Sequence, residues 1–168
     1  MSLPPLLAPL RDHRARLVPL GIALLLTYGY FVGEPAWNQN SRLALTRAMV
    51  EQRSTIIDRY HATTGDKSYR DGHFYCDKAP GTSLLALPSY AALHGLRQLT
   101  GGEPPGMRVI PLDREEAAAG RTPDPSDRKP GDRIRYNQAH RLALYVTRLC
   151  SVSLVALAGL VALYLLFF

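Results

Sequence analysis

The chain has 168 residues, a formal net charge of +6 and a hydrophobic fraction of 46%, yet a mean hydropathy of only −0.09. Apolar residues are therefore concentrated in runs within a polar majority, and the length suits one domain. A pI near 9.6 is compatible with nucleic acid or a membrane surface, but the arginines are scattered among acids without a basic, aromatic-interleaved patch, which excludes nucleic acid as a partner.

Residues 1–16 carry Pro4, Pro5 and Pro9, then Arg11, Arg14 and Arg16, and read as a basic cytoplasmic tail. Residues 17–33 are almost wholly apolar, with Tyr28, Tyr30 and Phe31 at the far end. That is the pattern of a first membrane span with an interfacial aromatic belt. A cleavable signal would need small residues in an A-x-A-like pattern after the run. Gly33-Glu34-Pro35-Ala36-Trp37 does not supply them, so an uncleaved anchor is expected.

Residues 34–80 form the expected outer segment. Asn38, Asn40 and Ser41 are good helix N-caps. Ala44, Leu45, Ala48 and Met49 recur at helical spacing, flanked by Arg42, Arg47, Glu51 and Arg53. Over residues 38–53 this predicts an amphipathic helix on the membrane surface, or a surface helix on a soluble core. The stretch from Ile56 to Asp77 is dense in chemistry: Asp58, His61, Asp66, Lys67, Asp71, His73, Tyr75 and Asp77. Asp71-Gly72 is a hairpin signal joining two short extended pieces. Aspartates in such turns commonly cap their own backbone rather than do chemistry.

Tyr75-Cys76-Asp77-Lys78-Ala79-Pro80-Gly81 then opens an apolar run. Pro80 disfavours helix at Ala79, and Gly81 allows a sharp turn. Lys78 is thereby placed at the lip of a hydrophobic segment, either as a binding cation or as a lysine snorkelling at a membrane surface. Residues 81–99 are read as a second span, interrupted by Pro88, His94 and Arg97. Residues 100–141, rich in Pro, Gly and charges of both signs, read as a flexible cytoplasmic loop. Residues 142–168 are the clearest span, with Arg141 and Arg148 at its start and no charge from Leu149 onward. No polar flank follows Phe168, which predicts the N-terminal part of a longer protein or a shortened relative of one. Cys76 and Cys150 match no metal spacing, and this topology puts them on opposite sides of a bilayer. The expected fold class is mainly α: about three transmembrane helices, a juxtamembrane amphipathic helix and an irregular outer loop.

On these residues the chain resembles the N-terminal region of the GT-C membrane glycosyltransferases, in particular the bacterial family 39 group. An outward first helix carries the resemblance, with the segment Trp37-Asn38-Gln39-Asn40-Ser41-Arg42-Leu43-Ala44-Leu45-Thr46-Arg47-Ala48-Met49. So does Tyr75-Cys76-Asp77-Lys78-Ala79-Pro80-Gly81, which is similar to the family's Tyr…Lys-Pro-Pro element. It covers residues 17–99 and, more loosely, the last helix. The resemblance implies transfer of a sugar from a polyprenyl-phosphate donor to a glycan, lipid or protein acceptor outside the cytoplasm, in the bacterial inner membrane. It gives Lys78 the lipid phosphate; the need for positive charge where that anion develops adds Arg42 or Arg47, and Tyr75 stands in the same element as the lysine. The family's acid falls where this chain has Asn38 and Gln39. Glu34, Asp58, Asp66 and Asp71 are the substitutes, Asp66 and Asp71 foremost because they sit in polar turns near Lys78. No cofactor follows from the resemblance, and a divalent metal is left open. Two other readings stand beside it: a non-catalytic membrane protein that binds lipid phosphate or a partner helix, and a metal-dependent hydrolase using His61, Asp66, Asp71 and His73.

Overall fold

A computed structural model describes residues 8–30, 35–110 and 133–167. The chain forms two units, Met1–Gly33 with Arg148–Phe168, and Glu34–Thr147. Its elements are α1 (Ala8–Tyr30), α2 (Trp37–Arg47), β1 (Lys67–Arg70), β2 (His73–Cys76), α3 (Gly81–Thr100), β3 (Met107–Ile110), β4 (Arg133–Tyr136), α4 (Gln138–Arg148) and α5 (Leu154–Phe167). A π-helical turn, Ala48–Gln52, extends α2, and a second, Leu149–Ser153, joins α4 to α5.

The architecture is mixed rather than mainly α. Helices stand with two antiparallel two-stranded sheets, β1-β2 and β3-β4. Among the described residues one helical run, Gln138–Tyr164, is long and apolar enough to cross a bilayer, with a mean hydropathy of 2.0 in its best window. The three-span expectation fails at two places. The apolar part of α1, Leu17–Thr27, is shorter than a span. The predicted middle crossing, 81–99, is α3, and it is built into the Glu34–Thr147 unit.

Hydrogen bonds explain that second failure. The Asn40 amide donates to the Tyr136 hydroxyl at 2.7 Å, and its carbonyl lies 3.0 Å from His140 Nε2. Tyr136 in turn donates to the Thr63 carbonyl at 3.2 Å. The supposed outer helix and the supposed cytoplasmic loop thus share buried hydrogen bonds, which no bilayer can separate. Residues 100–141 are also not simply a linker. Met107 pairs with Tyr136 and Ile110 with Arg133, and Asn137 clamps Gly106 and Pro104 through its side chain. Residues 111–132 of that predicted loop lie outside the described set.

Helix α2 is the centre of this unit, not a surface helix. Asn40, Ser41, Leu43, Ala44, Leu45, Thr46 and Arg47 are all buried. It starts one turn earlier than the N-cap residues suggest, because the Ala36 N–H bonds to the Gln39 side chain at 3.4 Å. One side meets Ile57 and Tyr60, the other Tyr90 and Ala143. Burying side chains such as Leu43 and Ile57 contributes roughly 1.5–3 kcal/mol each. Arg53, at φ 54°, ends the helical run in a left-handed conformation.

Helix α3 has a narrow buried face and a broad apolar exposed one. Ser83, Ala86 and Tyr90 face inward, whereas Leu84, Leu85, Pro88, Ala91, Ala92 and Leu96 are exposed. Ser83 Oγ donates to the Arg42 carbonyl at 3.1 Å, and Thr46 Oγ1 to the Ser83 carbonyl at 3.3 Å. These hydrogen bonds fasten α3 to α2, Tyr90 joins Leu43 and Ala143 in the core, and Leu84, Leu85, Leu96 and Leu99 remain outside.

In the other unit α1 packs on α5 and the π-helical turn before it. A methyl group at Gly21 would lie 3.5 Å from Leu157, so the helices approach at ordinary contact distance. Cys76 and Cys150 are both free thiols.

Candidate functional site

The outer loop, expected to be irregular, is a two-residue hairpin whose turn sets the geometry of the site. Asp71 and Gly72 both have positive φ, 52° and 85°, as an Asp-Gly hairpin turn requires. That turn sets a register in which Lys67 pairs with Cys76 and Arg70 with His73. One step further out, Asp66 falls opposite Asp77 and next to Lys78. The Lys78 ammonium accordingly lies 3.2 Å from Asp66 Oδ2, and 3.4 Å from Asp77 Oδ1. The hydrogen bond to Asp66, reinforced by the charges of Asp66 and Asp77, holds the Lys78 pKa above its ordinary value.

Asp66 is held from behind. Its backbone N–H donates to Thr64 Oγ1 at 3.0 Å, and that hydroxyl donates to the Trp37 carbonyl at 2.7 Å. The Trp37 ring lies on Gly65 so closely that a Cβ there would stand 2.6 Å from it. Thr64 and Gly65, just before the acid, are thereby tied to Trp37 at the start of α2. Asn38 is exposed, and Gln39 is spent on the Ala36 N–H.

Behind Lys78, α3 begins at Gly81 with Pro80 as its cap. Its first closing bond runs from the Leu84 N–H to the Pro80 carbonyl at 2.9 Å. The N–H groups ahead of Leu84 form the electropositive end of a 20-residue helix. Two buried polar atoms adjoin this turn in sequence or through hydrogen bonds, and neither has a partner among the described residues: Thr82 Oγ1 and Arg42 Nε. Arg42 reaches the turn through its carbonyl, which accepts from Ser83.

The remaining expected residues are elsewhere. Asp71 sits at the hairpin tip, 82% exposed, paired with Arg70 at 3.2 Å. Asp58 accepts from the Phe74 N–H at 2.6 Å and lies 2.7 Å from His73 Nδ1. The Phe74 N–H first, then His73, keep its carboxyl below the ordinary range. Tyr75 pairs with Ser68 and bridges to Ile56, on the sheet face opposite Phe74 and Cys76. Glu34 lies outside the described residues. Arg47 is not near the lipid-phosphate position: it is buried, 3.1 Å from Glu51 and stacked over the Tyr60 ring at 4.2 Å. His61 and His73 do not converge with Asp66 and Asp71. His61 Nδ1 meets Lys67 Nζ at 3.0 Å, His73 meets Asp58, and no group of three metal-ligating side chains occurs among the described residues.

Sequence reasoning passed over the Glu51 network. Tyr90 donates to Glu51 Oε1 at 2.5 Å and Tyr60 to Oε2 at 3.0 Å. Burial is the largest single influence on the Glu51 carboxyl and pushes its pKa up. The hydrogen bond from Tyr90, the Arg47 charge and hydrogen bond, and the Tyr60 hydroxyl together outweigh it, so the net shift is downward. Burial, then the Glu51 charge, pushes the Tyr60 phenol up to about 12 and raises Tyr90 as well. The Arg47–Glu51 spacing of four was the available signal.

No family model matches the chain, and comparison with curated proteins and with solved structures likewise returned no match.

Proposed function

We propose that Glu34–Thr147 carries the donor-side site of a membrane glycosyltransferase that takes a sugar from a polyprenyl-phosphate lipid at the outer side of the bacterial inner membrane. The Lys78–Asp66 pair, 3.2 Å apart at the start of α3, carries this reading. Its support is chemical. An ammonium at the N-terminal end of a long helix is a natural seat for a phosphate, and Thr82 in the first turn of that helix carries a hydroxyl without a partner among the described residues. The run Gln138–Tyr164 supplies a helix suited to a bilayer.

In this scheme the lipid phosphate displaces the Asp66 carboxylate from the Lys78 ammonium. Asp66 is then available as the general base, in the region of α2 where Asn38 and Gln39 stand. The acceptor hydroxyl gives its proton to Asp66 as its oxygen bonds to the anomeric carbon. The bond from that carbon to the lipid phosphate breaks, and the phosphate leaves as an anion stabilised by Lys78. Asp71 has no part in it, and Asp58 serves the hairpin by holding His73 and the Phe74 N–H.

Transfer from radiolabelled polyprenyl-phosphate sugars, in membranes carrying the chain, tests the scheme. Lys78→Ala weakens donor binding, whereas Asp66→Asn retains donor binding and lowers turnover by about 10²–10⁴-fold. Asp71→Asn leaves both unchanged. Donor binding that survives Lys78→Ala sinks the phosphate assignment. Turnover that survives Asp66→Asn sinks the base assignment. Donor binding without any transfer in the unaltered chain leaves the lipid-phosphate binder as the correct reading.

A further inference from the structure

At the other end of α3 from Lys78 lies a cavity of about 500 Å³, within the size range of small-molecule sites. It runs between the C-terminal half of α3, the residues just after that helix and the first turn of α4. Leu93, Leu96, Pro105 and Leu142 give it apolar walls. Leu96 and Leu142 are 59% and 50% exposed, so its mouth is apolar as well.

Two opposite charges line this groove, Arg97 and Glu103. They do not satisfy each other, and neither forms an ion pair with any described residue. Arg97 is aimed rather than loose: its Nη2 donates to His94 Nδ1 at 2.8 Å. That donor puts the His94 proton on Nε2, where the Gln98 side-chain amide lies 3.3 Å away. One Arg97 N–H is thus used for positioning, and the rest of its planar fork remains for a ligand. Two unpaired charges of opposite sign beside an apolar slot complement a molecule that bears both charges and one hydrocarbon chain. A purely anionic headgroup would meet repulsion from Glu103, and an uncharged one would leave Arg97 without a counter-charge.

We propose that this groove binds a single-chain zwitterionic amphiphile, with its phosphate on Arg97, its ammonium on Glu103 and its chain along Leu93, Leu96 and Leu142. The site stands apart from the Lys78–Asp66 pair and does not depend on the glycosyl-transfer reading. Occupancy covers part of the apolar surface at the C-terminal end of α3.

Calorimetric titration of the full chain in a non-ionic detergent tests this with three probes of equal chain length: lysophosphatidylethanolamine, lysophosphatidylglycerol and monoacylglycerol. The ethanolamine lipid binds tightest, and Arg97→Gln weakens it about tenfold, the loss of one charge-assisted contact. Glu103→Gln abolishes the preference for ethanolamine over glycerol. Glu103 is exposed, so this variant keeps the test open even where Arg97→Gln fails to fold. Equal affinity for all three probes would show a merely apolar slot. Tightest binding of the glycerol lipid would show an anion site, and no binding an empty cavity. Each of these three results overturns the proposal.

Discussion

In the Glu34–Thr147 unit the interior holds Asn40, Thr46, Arg47, Ser83 and His140. In the unit of residues 1–33 and 148–168, the exterior holds Val18, Ile22, Leu26, Leu154, Val155 and Leu163. The first unit sets a buried polar network, Asn40 with His140 and Arg47 with Glu51, between two small apolar clusters. The second shows hydrocarbon on its outside and buries two serines, Ser151 and Ser153. Helix α3 belongs to the first unit by its hydrogen bonds, yet it turns leucines outward as the second does. Average hydropathy separates the Gln138–Tyr164 run, at 2.0, from α3, and the buried face of α3 accounts for its place in the first unit.

The largest way to test the contrast is Arg47→Met. Arg47 and Glu51 have side chains only 7% and 9% exposed, so removing one partner strands a buried charge and costs about 3–5 kcal/mol. The fluorescence of the single tryptophan, Trp37, reports urea unfolding of this unit. A loss below 1 kcal/mol would mean that the polar network does not hold it. Tyr90→Phe removes one charge-assisted hydrogen bond and costs about 1.5–3 kcal/mol in the same assay.

The network also sets the pH limits of stability. The folded Glu51 pKa lies below its ordinary 4.5, so its contribution is present above pH 4.5 and is lost as pH falls through the folded value. The Tyr60 phenol runs the other way, from 10.0 unfolded to about 12 folded. Its contribution is complete below pH 10 and disappears between 10 and 12. Urea midpoints measured across pH should decline at both ends, and Tyr60→Phe should remove part of the alkaline decline, the raised Tyr90 phenol supplying the rest.

Gly65→Ala drives a methyl group into the Trp37 ring and costs about 1–3 kcal/mol. Asp66 follows Gly65 directly, so under the proposed scheme the same substitution also lowers transfer. At the small end, Ser153→Ala removes a buried hydroxyl that has no partner among the described residues. It should leave thermal stability in detergent unchanged or raised by about 1–3 kcal/mol. A loss of stability there would show that the second unit, too, depends on its polar interior.

Part of this was legible in the chain. Asp71-Gly72 announced the hairpin, and Pro80-Gly81 announced a helix start behind Lys78. Counting outward from that turn pairs Asp66 with Asp77 and so delivers Asp66 to Lys78, whereas nearness in sequence ranked Asp71 equally. Other features had no local signal. Asn40 bonds to residues 96 and 100 positions away, and no periodicity reports such a pairing. Glu51 looked like a solvated flank because a π-helical turn shifts the register that α-helical spacing assumes. Helix α3 was read as a crossing because its leucines were counted without regard to the Ser83 and Tyr90 face.

The Asn40 clasp has a consequence for biosynthesis. Its amide is buried early in the sequence, and both of its partners, Tyr136 and His140, leave the ribosome roughly a hundred residues later. Until then the nascent chain holds a helix with an unanswered polar group at its heart, and closure must wait for the segment that leads into the most apolar helix. Emergence of that helix and completion of the polar unit are therefore coupled in time, so a chain halted before residue 136 leaves the Asn40 amide without either partner.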